Sequence, residues 1–175
     1  MNRLPLCQRM LMAYRAGKKT MTRRVIHFTT LDHLTLVSPR YARGETVCIG
    51  EALRQSASGV TVYDADGEPV WRDGQTVGWP WKVKRLPSIY MPAWAAREWA
   101  RIAEVWPERL QNISIDDIVA EGAWNPAHSV DEDCSQAYEA FSDLWDSING
   151  DKPGFAWDDD PWVWVYTLER VRGKP

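Results

Sequence analysis

The first apolar pattern along the chain is helical. In Leu6-Cys7-Gln8-Arg9-Met10-Leu11-Met12-Ala13-Tyr14-Arg15-Ala16, residues Leu6, Met10, Ala13 and Tyr14 fall at i, i+4, i+7 and i+8, one stripe of an α-helix. Gly17 is the stop, because glycine takes the left-handed C′ conformation without a Cβ clash. Lys18 to Ile26 is polar and basic and reads as a turn entering a strand. Ser38 to Glu45 is turn-rich, and Thr46 to Leu53 reads as the strand after it. Val60 to Tyr63 and Val70-Trp71 flank Asp64 to Pro69 as the arms of a hairpin. Arg72 to Pro92 is rich in Gly, Pro and Trp without periodicity; it reads as a long loop whose aromatic content argues against disorder.

The second half continues the alternation of element types. Trp94 to Gln111 predicts one long strand or two. Ser114 then caps a helix over Ile115 to Glu121, with Asp117 three residues on near the positive helix end and Gly122 as the stop. An acidic loop spans Asn125 to Asp133, and residues 134–148 form an amphipathic helix with Tyr138, Phe141, Leu144, Trp145 and Ile148 on one face. Trp162 to Glu169 is strongly β-prone. Trp106, Trp145, Trp162 and Trp164 are expected in the core. The elements together predict a mixed α+β chain, a small sheet or barrel with two or three helices.

Composition bounds this picture. With 175 residues, 45% hydrophobic and 26% charged, the chain is expected to be one domain, residues 1–175, with an inserted Trp/Gly/Pro-rich loop at about 55–92. The balance excludes a wholly disordered or collagen-like chain. No apolar run reaches the roughly 18–20 residues of a membrane span, and the N-terminus lacks the pattern of a secretory signal. Cys7, Cys48 and Cys134 are far apart and odd in number, so neither a disulfide framework nor a zinc site is expected. Cys48, in a strand, reads as a core residue. His27, His33 and His128 lack ligand spacing, and Asp158-Asp159-Asp160 reads as a solvated run, so no metal and no cofactor is expected. The expected setting is a soluble cytoplasmic protein with reduced thiols and no membrane partner.

Charge changes the picture more than its total of −3 suggests. Residues 1–54 carry ten Lys/Arg against three Asp/Glu, a net +7, while the rest carries 11 basic and 21 acidic groups, a net −10. The cationic segment offers a surface for phosphates or other anions; equally, the two halves attract each other.

The order of motifs resembles the ASCH family, whose domains share the PUA-like β-barrel fold. The residues that carry the resemblance begin with Gly17-Lys18-Lys19-Thr20-Met21-Thr22-Arg23-Arg24 and Pro39-Arg40-Tyr41-Ala42-Arg43-Gly44-Glu45. Glu108 to Ser114, Ala120-Glu121-Gly122-Ala123, Leu144 to Asn149 and Pro161-Trp162-Val163-Trp164-Val165 follow. They run from the first helix to the last strand. The Pro/Trp stretch near Met91 and the terminal Pro-Trp-Val-Trp-Val make the chain most similar to ASCH proteins carried by bacteriophages and prophages, which implies a host cytoplasm. The resemblance implies a small barrel with flanking helices, RNA or nucleoside as partner, and, as in some small members, an amidohydrolase that deacylates N4-acetylcytidine. On that likeness Lys19, Thr22 and Glu121 form the catalytic set.

Those residue types suit the chemistry. Amide hydrolysis needs a nucleophile, a base to take its proton and an acid for the leaving amine. A threonine hydroxyl must be activated by a neighbour, and a lysine acts as a base only when it gives up its proton, which burial and nearby cations favour. Glu121 fits the acid. On a regular strand, positions 19 and 22 point to opposite faces, so the two converge only across a turn or bulge. Arg23 and Arg24 are candidates to bind substrate and stabilise an oxyanion. Arg40, Tyr41 and Arg43 combine charge with an aromatic ring, as a nucleotide site wants. Read without the family likeness, Lys18, Lys19, Arg23 and Arg24 suit a solvated basic edge strand. Trp71, Trp79, Trp81 and Trp94 stack bases or anchor their loop. Two other functions remain open: a non-catalytic RNA-binding module, and a phage protein that binds a host protein through the Trp-rich loop.

Overall fold

A computed structural model describes residues 1–27, 38–125 and 135–173; residues 126–133 of the expected acidic loop, His33, His128 and Cys134 lie outside them. The chain divides into two compact units. The first comprises Met1–Met12, Glu45–Arg101 and Glu169–Pro175, and the second Ala13–Gly44 and Ile102–Leu168. The fold is α+β, as the pattern predicts.

In the first unit, β1 (Arg3–Pro5) runs parallel to β3 (Thr46–Gly50), with Leu4 opposite Ile49. The start of β9 (Trp99–Arg109) lies antiparallel to β3, Cys48 opposite Trp99. Leu4, Val47, Cys48, Ile49 and Ala100 are fully buried. A second sheet, in the order β5-β4-β8, is built from β4 (Leu53–Gln55), β5 (Thr61–Tyr63) and β8 (Arg85–Leu86). The hairpin expected across Asp64 to Pro69 is present, with Tyr63 N–H donating to Glu68 at 2.9 Å and Val70 N–H to Thr61 at 2.9 Å.

The long loop expected from Arg72 to Pro92 is corrected. It holds a small hairpin, β6 (Trp71–Arg72) with β7 (Gln75–Thr76), as well as β8 and two short 3₁₀ turns. Asp73 and Gly74 between the strands both have positive φ, 53° and 77°, the geometry of a type I′ turn. An Asp-Gly pair between short extended runs is a hairpin signal that outweighs the lack of longer periodicity. The aromatic residues anchor this segment: Trp79, Trp81 and Trp94, together with Val77, pack on a core of Leu53, Tyr63, Val70, Leu86, Met91 and Ala95.

The second unit is organised by the pairing of β2 (Met21–Val25) with β10 (Trp162–Val171), antiparallel, with Thr22 opposite Tyr166, Arg23 opposite Val165 and Arg24 opposite Trp164. The remaining helices are α2 (Ile115–Ala120) and α3 (Ser135–Asn149). Phe141, Leu144 and Trp145 of α3 are buried, but Ile148 is exposed because it falls in the last turn, past the packed stretch. Trp145 is fixed by its indole N–H to Phe155 O at 2.7 Å. Trp164 is buried, whereas Trp162, expected in the core, is 41% exposed; as the first residue of β10 it carries the Arg109 guanidinium 5.8 Å from its ring centre. The helix α1 (Gln8–Arg15), across which the two units divide, buries Met10 and Tyr14 as its stripe predicts. Gly17 ends it at φ 71°.

Hydrogen bonding sets the order β1-β3-β9 in the first unit and β9-β10-β2 in the second, and no barrel closes among the described residues. One terminal strand, β1, is three residues long and ends in Pro5, which has no N–H to donate to a further neighbour.

Candidate functional site

The end of α1 and the start of β2 set the site in the second unit. Lys18 and Lys19 both return their backbone N–H groups to Ala13 O, at 2.9 and 3.1 Å. Thr20 is clamped on two sides, donating to Ala120 O at 2.7 Å and accepting from Leu168 N–H at 2.8 Å. Lys19 is thereby held outside the regular strand, beside the end of α2.

That helix delivers the carboxylates. Ser114 caps it as expected, its hydroxyl accepting from Asp117 N–H at 3.1 Å. Asp117 and Glu121 stand four residues apart and so share a face. The chain leaves α2 through Gly122, φ 75°, where a Cβ would stand 2.8 Å from Ala13 Cβ and 3.3 Å from Lys19 Cβ. Only glycine permits so close an approach of this turn to Lys19.

A buried charge cluster results. Lys19 Nζ donates to Glu121 Oε2 at 2.6 Å and to Glu121 O at 3.0 Å, and both residues are at most 5% exposed. The other oxygen of Glu121 accepts from Arg23 at 3.2 Å. Arg23 also donates to Glu108 Oε1 at 2.7 and 2.9 Å and to Asp117 Oδ2 at 2.7 Å. Glu108 is steadied in turn by the indole N–H of Trp106 at 3.1 Å. Burial works against the charge on Arg23, but Glu121, Glu108 and Asp117 outweigh it and raise its pKa above the ordinary value.

The opposite face of β2 carries different groups. Side chains alternate along the strand, so Thr22 and Arg24 point away from Arg23 and share a face with Tyr166 and Trp164. Thr22 is buried and makes no hydrogen bond to either member of the Lys19–Glu121 pair. Arg24 donates to Arg23 O at 3.0 Å. Tyr41 is buried, edge-on to Tyr166 with centroids 5.3 Å apart, and Arg40, exposed, places its guanidinium 5.6 Å from the Tyr41 ring centre. Arg43 is tied to Ala103 O at 3.2 Å.

The structure thus brings Lys19, Glu121 and Arg23 together on one side of β2, and Thr22, Arg24 and Tyr41 on the other. Arg23 is fully engaged with carboxylates. Sequence reasoning missed Glu108 and Asp117 as its partners, although the four-residue spacing of Asp117 and Glu121 is visible in the chain. The sequence places Tyr166 only within a β-prone run, and its position opposite Thr22 comes from the ladder. A cavity of about 470 Å³ lies elsewhere in the unit, walled by His27, Phe155 and Trp162 with Arg109 at its side, and includes none of the expected site residues. Among the described residues there is no group of three or more His, Cys, Asp or Glu placed to hold a metal. No helix among them is long and apolar enough to cross a membrane.

No family model and no curated protein matches the chain. A solved structure described as the high-resolution crystal structure of an ASCH domain from Lactobacillus crispatus JV V101 resembles it at 11% identity with a TM-score of 0.49, over 97% of this chain and 78% of that one.

Proposed function

We propose that the second unit is a nucleoside- or RNA-base-binding site of the ASCH, PUA-like type that hydrolyses an N4-acyl amide of cytidine. The observation that carries this reading is the Lys19–Glu121 pair, two buried ionisable groups 102 residues apart in the chain and joined at 2.6 Å. The order of Lys19, Thr22 and Glu121 within an ASCH-like sequence supports it.

The pair suits the proton bookkeeping of amide cleavage. Transfer of the proton from Lys19 to Glu121 along their hydrogen bond produces an amine and a carboxylic acid at once. The amine takes the Thr22 proton as Thr22 Oγ1 bonds to the acyl carbon, and the acid protonates the exocyclic nitrogen as the C–N bond breaks. Cytidine leaves, Lys19 and Glu121 are again ammonium and carboxylate, and water hydrolyses the acyl-threonine to the free acid. The cycle requires the Thr22 hydroxyl, on the far face of β2 from Lys19 and Glu121, to reach the Lys19 amine once substrate is bound, which takes a change of backbone at the start of the strand. Arg23 is a positioning residue that holds Glu121 in place.

Incubation with N4-acetylcytidine, with cytidine followed by chromatography, tests the reading. Wild type is expected to release cytidine, and Thr22→Ala to lose that activity with an unchanged melting profile. Full turnover by Thr22→Ala contradicts the mechanism.

One observation favours a second reading. Thr22 stands apart from the pair, as it would in a binding module where Lys19 and Glu121 serve only the fold. RNA affinity that falls steeply with salt and survives Thr22→Ala, without hydrolysis, would establish it.

A further inference from the structure

Tyr166 is fully buried, and its hydroxyl has no hydrogen-bond partner among the described residues. An unpaired buried hydroxyl costs about 1–3 kcal/mol, and phenylalanine would fill the same volume without that cost. Such groups are rare enough in native proteins to require a reason.

The surroundings supply one. Tyr166 lies directly opposite Thr22 in the β2–β10 ladder, so their side chains leave the sheet as same-face neighbours, with Cβ atoms about 5 Å apart. The backbone amides of Tyr41 and Arg40 bear on the phenol oxygen without completing a hydrogen bond, and the Arg24 guanidinium adds positive potential. The Tyr41 phenol acts in the opposite sense. Burial, the largest influence, raises the Tyr166 pKa above its ordinary 10.0, so the group remains a donor at neutral pH. Positive potential and donors surround a face that also carries the Thr22 hydroxyl; what such a place binds is an acceptor oxygen.

We propose that Tyr166 is the hydrogen-bond donor for the acyl carbonyl oxygen of the substrate, the second half of the Thr22 site. The inference rests on the reading of the Thr22 face as the place where substrate reacts. When Thr22 Oγ1 bonds to the acyl carbon, the carbonyl π pair moves onto oxygen, and the Tyr166 O–H stabilises that oxyanion without transferring its proton. The pair returns to re-form C=O as the C–N bond breaks and the departing nitrogen takes up the proton that Thr22 released. A donor aimed at developing charge acts mainly on the transition state.

Tyr166→Phe separates this role from a structural one. The variant is expected to fold, to melt at or above the wild-type temperature, and to lose about 10²-fold or more in kcat on N4-acetylcytidine with KM little changed. An unchanged kcat, or a clear fall in melting temperature, overturns the inference. If wild type releases no cytidine, the hydrolase reading fails by itself, and calorimetric binding of N4-acetylcytidine then decides for Tyr166. Affinity weakened about tenfold or more by Tyr166→Phe, roughly one hydrogen bond, supports the inference; equal affinity in both proteins, or binding to neither, overturns it.

Discussion

Glu51 in the first unit and Glu121 in the second are both nearly inaccessible, at 1% and 5%, and both meet an arginine. Their partners differ in kind. Arg97 grips Glu51 with two parallel bonds, Nε to Oε1 at 2.9 Å and NH2 to Oε2 at 2.8 Å, reaches Asp66 at 2.6 Å, and stacks 3.6 Å from the Tyr63 ring centre. Both oxygens of Glu51 are occupied by one planar cation that does not give up a proton. Glu121 divides its oxygens between Arg23 and Lys19. The lysine makes the difference, because an ammonium can release a proton where a guanidinium cannot. A buried charge cluster alone therefore does not mark a catalytic site; the first unit holds one that staples the segment from Glu51 to Arg97.

Replacement of the two arginines breaks the comparison most severely. Arg23→Met leaves Glu108, Asp117 and Glu121 short of a buried cation, and urea unfolding should show a loss of about 3–5 kcal/mol. Arg97→Met removes a cation whose side chain is 26% exposed and should lower stability by about 2 kcal/mol. Cytidine release should survive the Arg97 change. Loss of turnover in a folded Arg97→Met protein would mean that the two clusters are not different in kind.

A smaller effect is expected at the cap of α2. Ser114→Ala removes the acceptor for Asp117 N–H and should cost about 1 kcal/mol, read as a lower thermal midpoint. Since α2 carries Asp117 and runs directly into Glu121 at its C-cap, the variant should also lower turnover; an equivalent loss of stability introduced in the first unit should not.

The smallest effect concerns alkaline pH. A phenol whose folded pKa is raised by burial contributes stability that is fully present below its unfolded pKa of about 10 and is lost as pH rises through the raised folded value. The melting temperature of wild type should therefore fall more steeply above about pH 10 than that of Tyr166→Phe. Parallel profiles would remove Tyr166 from the set of buried donors.

Much of this was legible in the chain where local rules decide. The i, i+4, i+8 stripe of α1, the Gly17 stop and the Ser114 cap are written in neighbouring residues, and each is found in the structure. The Asp73-Gly74 hairpin was legible too, but its strands are two residues each and leave no periodicity to notice. Trp162 and Ile148 were misplaced for a shared reason: both sit at the end of an element, where the pattern continues after the packing stops. The charge cluster depends on partners some 85–102 residues apart, a separation at which spacing carries no signal. The orphaned hydroxyl of Tyr166 is further removed still, for alternation along β10 places the ring but says nothing about its oxygen.

The central claim is that Lys19 releases a proton where Arg97 only holds a charge. Lys19→Arg keeps a cation beside Glu121 and removes the base, so it tests that claim without emptying the site. Cytidine release from N4-acetylcytidine by wild type and Lys19→Arg, with melting curves for both, is the measurement. The account predicts product from wild type and a rate about 10²–10⁴-fold lower in a variant that still melts cooperatively. Equal rates in the two proteins, or no product from folded wild type, would contradict it.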